Sequence, residues 1–109
     1  MVISIDDFGK IEMKVGRITA VEDIPTARNP MYKLKVEFGG GSVKQCVAGI
    51  KKFYAKDQLI GKLVVAVVNL QPKSVVGVVS ECMVLASYDD TQLSLLTPDK
   101  EMGLGVKVG

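Results

Sequence analysis

The sequence predicts an all-β domain whose short strands close into a small barrel. Two β-branched runs, Leu63–Val68 and Cys82–Ala86, have the composition of strands that are buried on both faces or nearly so. Between these runs Pro72 cannot donate a ladder hydrogen bond, so the chain must leave the sheet and form a shaped loop. A length of 109 residues with 48% hydrophobic residues predicts a single domain, residues 1–109, with one core.

Alternating side chains predict the strands of the first half of the chain. Residues Met13–Val21 alternate between two faces, which suits a first strand that curves around a barrel. In Lys33–Phe38 apolar residues alternate with charged ones, which predicts a half-buried second strand, and Val43–Ala48 returns as the third. The loop Pro25–Pro30 joins the first two strands and carries Arg28 near its tip.

Signals for helices are few. Ser4, followed by two aspartates, resembles an N-cap with acids in the first turn and predicts a short N-terminal helix. Gly49–Lys62 is the candidate for an interior helix between the third and fourth strands, and Phe53 within it is expected in the core. After a polar turn at Ser87–Gln92, the leucines of Leu93–Leu96 predict a last short strand.

Composition argues against several classes of function. A chain without histidine lacks the usual general base near neutral pH, so neither catalytic residues nor an enzyme activity are predicted. Without histidine or a CxxC pair, no metal site and no cofactor is expected. Cys46 and Cys82 are interpreted as buried reduced thiols, with a disulfide between them as the alternative. No apolar run reaches the ~18 residues of a membrane span, and the N-terminus does not resemble a signal peptide, so a soluble cytoplasmic protein is expected.

The charges are distributed unevenly along the chain. The net charge is only +2, but the segment from Lys33 to Lys73 contains eight lysines and two acidic residues. The rest of the chain carries six cations against ten carboxylates. The folded domain is therefore expected to have one basic side, whose lysines could provide sequence-tolerant contacts to phosphates.

A series of short motifs runs along nearly the whole chain. They are Val15–Ile18, Val47–Ile50 followed by Phe53–Tyr54, Gly61–Lys62, Asn69–Lys73, Gly77, Ser80–Met83 and Leu95–Pro98. With these motifs the chain resembles the tRNA-binding domain family, the OB-fold module found in methionyl-tRNA synthetases, EMAP-II-like proteins and stand-alone dimers. The resemblance implies a five-stranded OB-fold Greek-key barrel with a short helix between strands 3 and 4, plus N- and C-terminal extensions.

Within that family the chain is most similar to the stand-alone dimeric CsaA branch, described as an export-related chaperone. The likeness lies in Ile5–Phe8 and in the loop Ile24–Pro30, whereas Val47–Tyr54 is closer to the synthetase type. Two hypotheses follow from the resemblance. One is tRNA binding by shape and charge without catalysis, and the other is chaperone-like binding of unfolded or export-bound polypeptides. Docking on a methionyl-tRNA synthetase is a third possibility.

Each hypothesis assigns its own residues. The tRNA-binding hypothesis uses polar residues of the central segment, namely Lys33, Lys44, Lys51, Lys52, Lys62, Asn69, Lys73, Ser80 and Ser87. For Asn69, Ser80 and Ser87, hydrogen bonding within turns and strand ends is the alternative. The chaperone hypothesis uses an apolar tongue and flanking residues, namely Val75, Val76, Val79, Tyr54 and Arg28. That tongue is either exposed for peptide contact or buried at the barrel end or in a dimer seam.

Apolar residues continue beyond the predicted barrel at both ends of the chain. Residues 1–12 and 99–109 are therefore expected to be the dimerisation extensions of a homodimer. The interface is assigned to Ile5, Phe8, Ile11, Leu104, Val106 and Val108. The alternative is that these segments cap their own barrel.

Overall fold

The computed structural model describes residues 1–109, which form short strands and two one-turn helices. In chain order the elements are α1 (Ile5–Phe8), β1 (Met13–Asp23), β2 (Tyr32–Glu37), β3 (Val43–Ala48), α2 (Lys56–Leu59), β4 (Leu63–Val67), β5 (Lys73–Val75), β6 (Val78–Ser80), β7 (Met83–Val84), β8 (Ala86–Tyr88), β9 (Leu93–Leu95) and β10 (Lys107–Val108). The predicted all-β class, with a short helix between the third and fourth strands, is confirmed.

The main sheet has the strand order β3-β2-β1-β4-β7, and β10 adds to β1. All neighbours in this sheet are antiparallel. The long β1 pairs with β4 through its first half and with β2 through its second half. The sheet therefore curls into the nearly closed five-stranded barrel that the resemblance implied. Two hairpins, β5–β6 and β8–β9, project from this barrel.

The interior of the barrel is filled by aliphatic side chains from every wall. The largest fully buried side chains are those of Ile18, Leu34, Leu59, Val36, Val64 and Cys46. Gly16 on β1 is needed for this packing, because a Cβ atom there would lie 2.6 Å from Cγ1 of Val36 and 2.7 Å from Cε1 of Phe38. The absence of a side chain at this position thus allows a close approach of β1 to β2.

The interior helix is much shorter than the predicted Gly49–Lys62. Only Lys56–Leu59 is helical, because the preceding residues form a separate turn in which the carbonyl of Ile50 accepts from the N–H groups of both Phe53 and Tyr54. The helix packs through Leu59, which is fully buried. Phe53 is exposed, so its expected place in the core is wrong.

The run Cys82–Ala86 was expected to be one strand, but it divides into β7 and β8 at Leu85. The N–H of this residue donates to Val65 on β4, whereas its carbonyl accepts from Leu96 beyond β9. The chain changes partner strand at this point, and the strand is interrupted. The prediction that both runs are buried on both faces is correct for β4. It is wrong for Cys82–Ala86, because Met83 is exposed.

The two ends of the chain behave differently. At the N-terminus the Ser4 hydroxyl accepts from the N–H of Asp7 at 3.1 Å, which confirms the predicted N-cap, and no residue of α1 is buried. At the C-terminus Gly105 donates to the carbonyl of Val15 at 2.8 Å, and Val15 donates to that of Val106 at 3.1 Å. The C-terminal tail therefore caps its own barrel, as one of the two interpretations expected.

The two cysteines are free and buried, as predicted. A hydrogen bond to Cys82 together with burial raises the pKa of Cys46, so this residue stays a protonated thiol at neutral pH. None of the helices is long and apolar enough to cross a membrane.

Candidate nucleic-acid interface

The hairpin β5–β6 is built around a two-residue turn at Val76 and Gly77. Both residues have positive φ, 52° and 80°, as a type I′ hairpin turn requires. Glycine adopts this conformation at no cost, but a β-branched residue there is strained by ~1–3 kcal/mol. The apolar tongue of the sequence is thus an ordered hairpin with an exposed valine at its tip.

Side chains attach this hairpin to the free edge of β3. The Gln45 side chain donates to the carbonyl of Val79 at 3.0 Å, and the N–H of Val47 donates to the hydroxyl of Ser80 at 3.0 Å. The N–H of Gln45 donates to the Glu81 carboxylate at 2.9 Å, and the N–H of Glu81 donates back to the Gln45 carbonyl at 2.7 Å. These contacts close the barrel at the seam between β3 and β7, which do not pair as strands.

A cleft of about 430 Å³ separates the hairpin from the barrel wall. It is lined by Val47, Leu70, Gln71, Lys73, Val75, Ser80, Cys82 and Met83. Most of the lining is apolar. Two polar side chains of this lining, the amide of Gln71 and the ammonium of Lys73, make no hydrogen bond or ion pair within the chain, so both are available to a ligand.

Three lysines without ion pairs lie on the hairpin and on the β2–β3 wall that carries it. Lys73 lies opposite Ser80 in the β5–β6 pair, and Lys35 lies opposite Gln45, whose side chain holds the hairpin. The hydrogen bond from Cys46 and the nearby charge of Lys44 lower the pKa of Cys82, which places Lys44 beside a residue of the cleft. None of the three forms an ion pair, and with the Glu81 carboxylate also acting on Cys82 the region around the hairpin keeps a net positive charge.

Two other lysines of the predicted RNA-binding set, and Lys56 outside that set, are paired with carboxylates. Lys33 contacts Glu22 at 2.9 Å, and Lys51 and Lys56 both contact Asp23 at 2.9 Å. The hydrogen bonds from these lysines lower the pKa of both carboxylates, which therefore remain ionised. Three cations and two anions leave this cluster with a charge of only plus one.

The remaining two lysines of that set lie apart. Lys52 is exposed in the turn before α2, and Lys62 is half-buried at the start of β4. Because β1 lies between β4 and β2, the structure separates Lys62 from the lysines of β2. The predicted basic set is thus distributed over several parts of the surface.

The predicted polar rim residues serve internal contacts. The Asn69 side chain accepts from the N–H of Glu12 at 2.9 Å and donates to the carbonyl of Lys10 at 2.7 Å. Ser80 closes the seam, and the Ser87 hydroxyl donates to the carbonyl of Ser94 at 3.4 Å. These are the hydrogen bonds within turns and strand ends that were the alternative, and RNA contact by these residues stays a prediction.

Replacing Asn69 by alanine tests its internal role. We expect the free energy of unfolding to fall by about 1–2 kcal/mol, because two backbone groups of the N-terminal segment lose their partner. Gln71→Ala is the matched control, since it removes an amide without an internal hydrogen bond. Urea unfolding measures both. A stable Asn69→Ala variant that binds tRNA more weakly would support the RNA-contact hypothesis instead.

The residues of the chaperone hypothesis are only partly brought together. Val75 lines the cleft, while Val76 and Val79 are exposed on the hairpin. Tyr54 is a structural residue, because its hydroxyl accepts from the N–H of Leu95 at 3.0 Å and its carbonyl accepts from Tyr32. Arg28 lies elsewhere, in the exposed loop between β1 and β2.

A second apolar groove continues along the seam beyond Val47 and Met83. It has a volume of about 370 Å³ and lies between Val47–Ile50 and Met83–Ala86. No charged side chain lines it. The N–H of Gly49 on this open edge has no partner within the chain. The groove could therefore accept an extended segment of polypeptide.

Sequence reasoning did not single out Lys35, Gln45 or Gln71 as site residues. The alternation in β2 places Lys35 on the same face as Lys33, and this signal could have identified it. The role of Gln45 depends on a hairpin that packs beside β3, which no local pattern reveals.

Comparison with known proteins places this arrangement in a family. A family model described as "Putative tRNA binding domain" matches residues 13–107. The chain belongs to this family. Among curated proteins, the methionine–tRNA ligase of Pyrococcus furiosus is 43% identical over 97% of this chain. The chain spans only 14% of that ligase, so the similarity concerns one binding domain of a longer enzyme.

Solved structures agree over the whole chain. The CsaA chaperone protein of Picrophilus torridus has a TM-score of 0.92 and 40% identity, covering 99% of this chain and 100% of that one. The methionyl-tRNA-synthetase-related protein of Pyrococcus horikoshii has a TM-score of 0.90 and 31% identity, covering 100% and 99% respectively. The predicted membership of the tRNA-binding domain family, close to CsaA, is confirmed.

Proposed function

We propose that this protein binds tRNA as a non-catalytic homodimer. The observation that carries the proposal is the group of three lysines without ion pairs, Lys35, Lys44 and Lys73, around the β5–β6 hairpin. Their charges can replace the counterions of RNA phosphates, which favours binding without a reactive group. The family's description points to the same ligand.

The geometry suits recognition of shape more than sequence. The lysines lie on two neighbouring strands and on the hairpin, and an OB barrel typically offers a strand face and its adjoining loops to RNA. Since the curated relatives include this domain within methionine–tRNA ligases, the proposal extends to cytoplasmic tRNA and to docking on a separate methionyl-tRNA synthetase.

Titration at two salt concentrations tests the proposal. Fluorescence anisotropy follows binding of unfractionated tRNA and of a reduced, unfolded polypeptide. Three phosphate contacts predict that tRNA affinity falls about 20- to 40-fold between ~50 and ~200 mM salt. Binding of an apolar segment would change little. Absence of tRNA binding at ~50 mM salt would overturn the proposal.

The homodimer is proposed from the N-terminal segment. Ile5 is 80% exposed, and Phe8 and Ile11 are also exposed, so α1 presents apolar side chains that its own barrel does not cover. A second copy could bury them, with a gain of ~25 cal/mol per Å² of apolar surface. The half-buried Leu104, Val106 and Val108 already pack on the barrel and would border that interface.

Replacing Ile5 and Phe8 together by serine should convert the dimer into a folded monomer, as measured by sedimentation. Neither residue is buried in α1, so the barrel itself should keep its stability. Tyr88→Ser is the matched control, because it removes an aromatic side chain that is 79% exposed on another hairpin. A double variant that remains dimeric would place the interface elsewhere.

A second candidate is favoured by the open seam. Chaperone-like capture of an unfolded polypeptide could use the 370 Å³ groove together with the exposed Val76 and Val79. Val76→Asn separates this function from tRNA binding, because asparagine suits a type I′ turn and removes the apolar tip. If polypeptide capture is real, the variant should suppress aggregation of an unfolded client less well while tRNA affinity stays the same.

A further inference from the structure

We infer that the cleft beneath the β5–β6 hairpin holds one unstacked base of the bound RNA. The inference rests on the proposed function, since a base can reach the cleft only if RNA lies on the lysines around it. Its volume of about 430 Å³ falls in the ~300–1,000 Å³ range of small-molecule sites. A polyanion with bases fits this cleft better than an apolar peptide does, because a cation stands at its rim and no carboxylate lines it.

The walls of the cleft are mostly apolar and come from several elements. Val47 on β3 and Val75 on β5 stand on different elements, and Leu70 and Met83 complete the apolar surface. A base that leaves its stack needs apolar or aromatic contact on its faces. The thioether of Met83 adds a favourable contact with an aromatic ring.

The rim of the cleft matches the polar parts of a nucleotide. The Gln71 side chain has no internal partner, and its amide can both donate to and accept from the edge of a base. The Lys73 ammonium is unpaired and can contact the phosphate of the same nucleotide. The Ser80 hydroxyl already accepts from Val47 and donates to the carbonyl of Cys82, so it shapes the wall and does not read the base.

The inference also accounts for exposed apolar residues that the fold does not explain. Leu70, in the connection after β4, and Met83, at the start of β7, are both nearly half exposed. Both line the cleft, and a base inserted there would cover them.

A stem–loop RNA and the same RNA with abasic loop nucleotides test the inference. The two molecules carry the same phosphates, so contacts to lysine affect both equally, and only base insertion separates them. We expect the wild type to bind the complete loop about tenfold more tightly than the abasic one, within the range measured for one base contact. In Met83→Ala, and in Gln71→Ala, most of this ratio should be lost.

Met102→Ala is the matched control, because Met102 is 44% exposed in the C-terminal tail and Met83 is 48% exposed in the cleft. It should keep the full ratio. Equal binding of both RNAs by the wild type would overturn the inference while tRNA binding stands. If neither RNA binds at ~50 mM salt, the proposed function itself is wrong. Displacement of the complete loop by an apolar peptide, with no preference over the abasic loop, would assign the cleft to polypeptide.

Discussion

Replacing Lys35, Lys44 and Lys73 together by alanine is expected to lower tRNA affinity about 100-fold at ~50 mM salt, or roughly 1 kcal/mol per lysine. The plot of log affinity against log salt should also lose about one unit of slope for each phosphate contact removed. None of the three takes part in an ion pair, so the fold should keep its stability. Filter binding over a salt series measures both quantities.

Lys33, Lys51 and Lys56 provide a control with the same change in formal charge. Their replacement by alanine also removes three cations, but it breaks the pairs with Glu22 and Asp23. If the site and not the net charge binds tRNA, this variant should lose less than about tenfold in affinity. Equal losses in the two triple variants would show that the protein binds tRNA through its overall charge, and would remove the hairpin lysines as a site.

The sequence alone could not show which lysines form ion pairs with carboxylates and which do not. The register between β1 and β2 shifts between Ile18 and Ala20, and beyond that irregularity Glu22 lies opposite Lys33. A shift of one residue would move Glu22 to the other face of the sheet. Alternation within one strand predicts which face a lysine occupies, but it does not predict the neighbour across the ladder.

The elements that depend on local pattern were predicted well. Alternation in Lys33–Phe38 and the β-branched run Leu63–Val68 correspond to β2 and β4, and Ser4 caps α1 as expected. In contrast, Asn69 finds its partners 57 and 59 residues away. A contact across that separation leaves no periodic signal, so the sequence could not identify Asn69 as an anchor for the N-terminal segment.

The C-terminal tail is a second case in which the sequence did not predict the contact partner. Its apolar residues were assigned to a dimer interface because they follow the predicted barrel. In the structure, Val106 and Gly105 exchange hydrogen bonds with Val15, and β10 extends β1. Composition identifies a segment that must be covered, but it does not say whether its own barrel or a second copy covers it.

Gly105→Ala should therefore destabilise the barrel as well as the tail. Gly105 has φ of 84°, a conformation that disfavours any side chain, and an added methyl group would overlap the carbonyl oxygen of Phe38. Relief requires the tail to move away from β1 and to give up its hydrogen bonds to Val15. We expect the free energy of unfolding to fall by about 2–4 kcal/mol, as measured by urea denaturation.

Gly103→Ala is the matched control for this experiment. A methyl group at Gly103 would meet only Cγ1 of Val106, at an ordinary contact distance of 3.7 Å. This variant should lose less than about 1 kcal/mol, the usual cost of a tolerated surface change. Limited proteolysis adds a second measurement, because a displaced tail in Gly105→Ala would be cleaved while the tail of Gly103→Ala stays protected. If both variants are as stable and as resistant as the wild type, the tail contributes nothing to closing the barrel and remains available to a second copy.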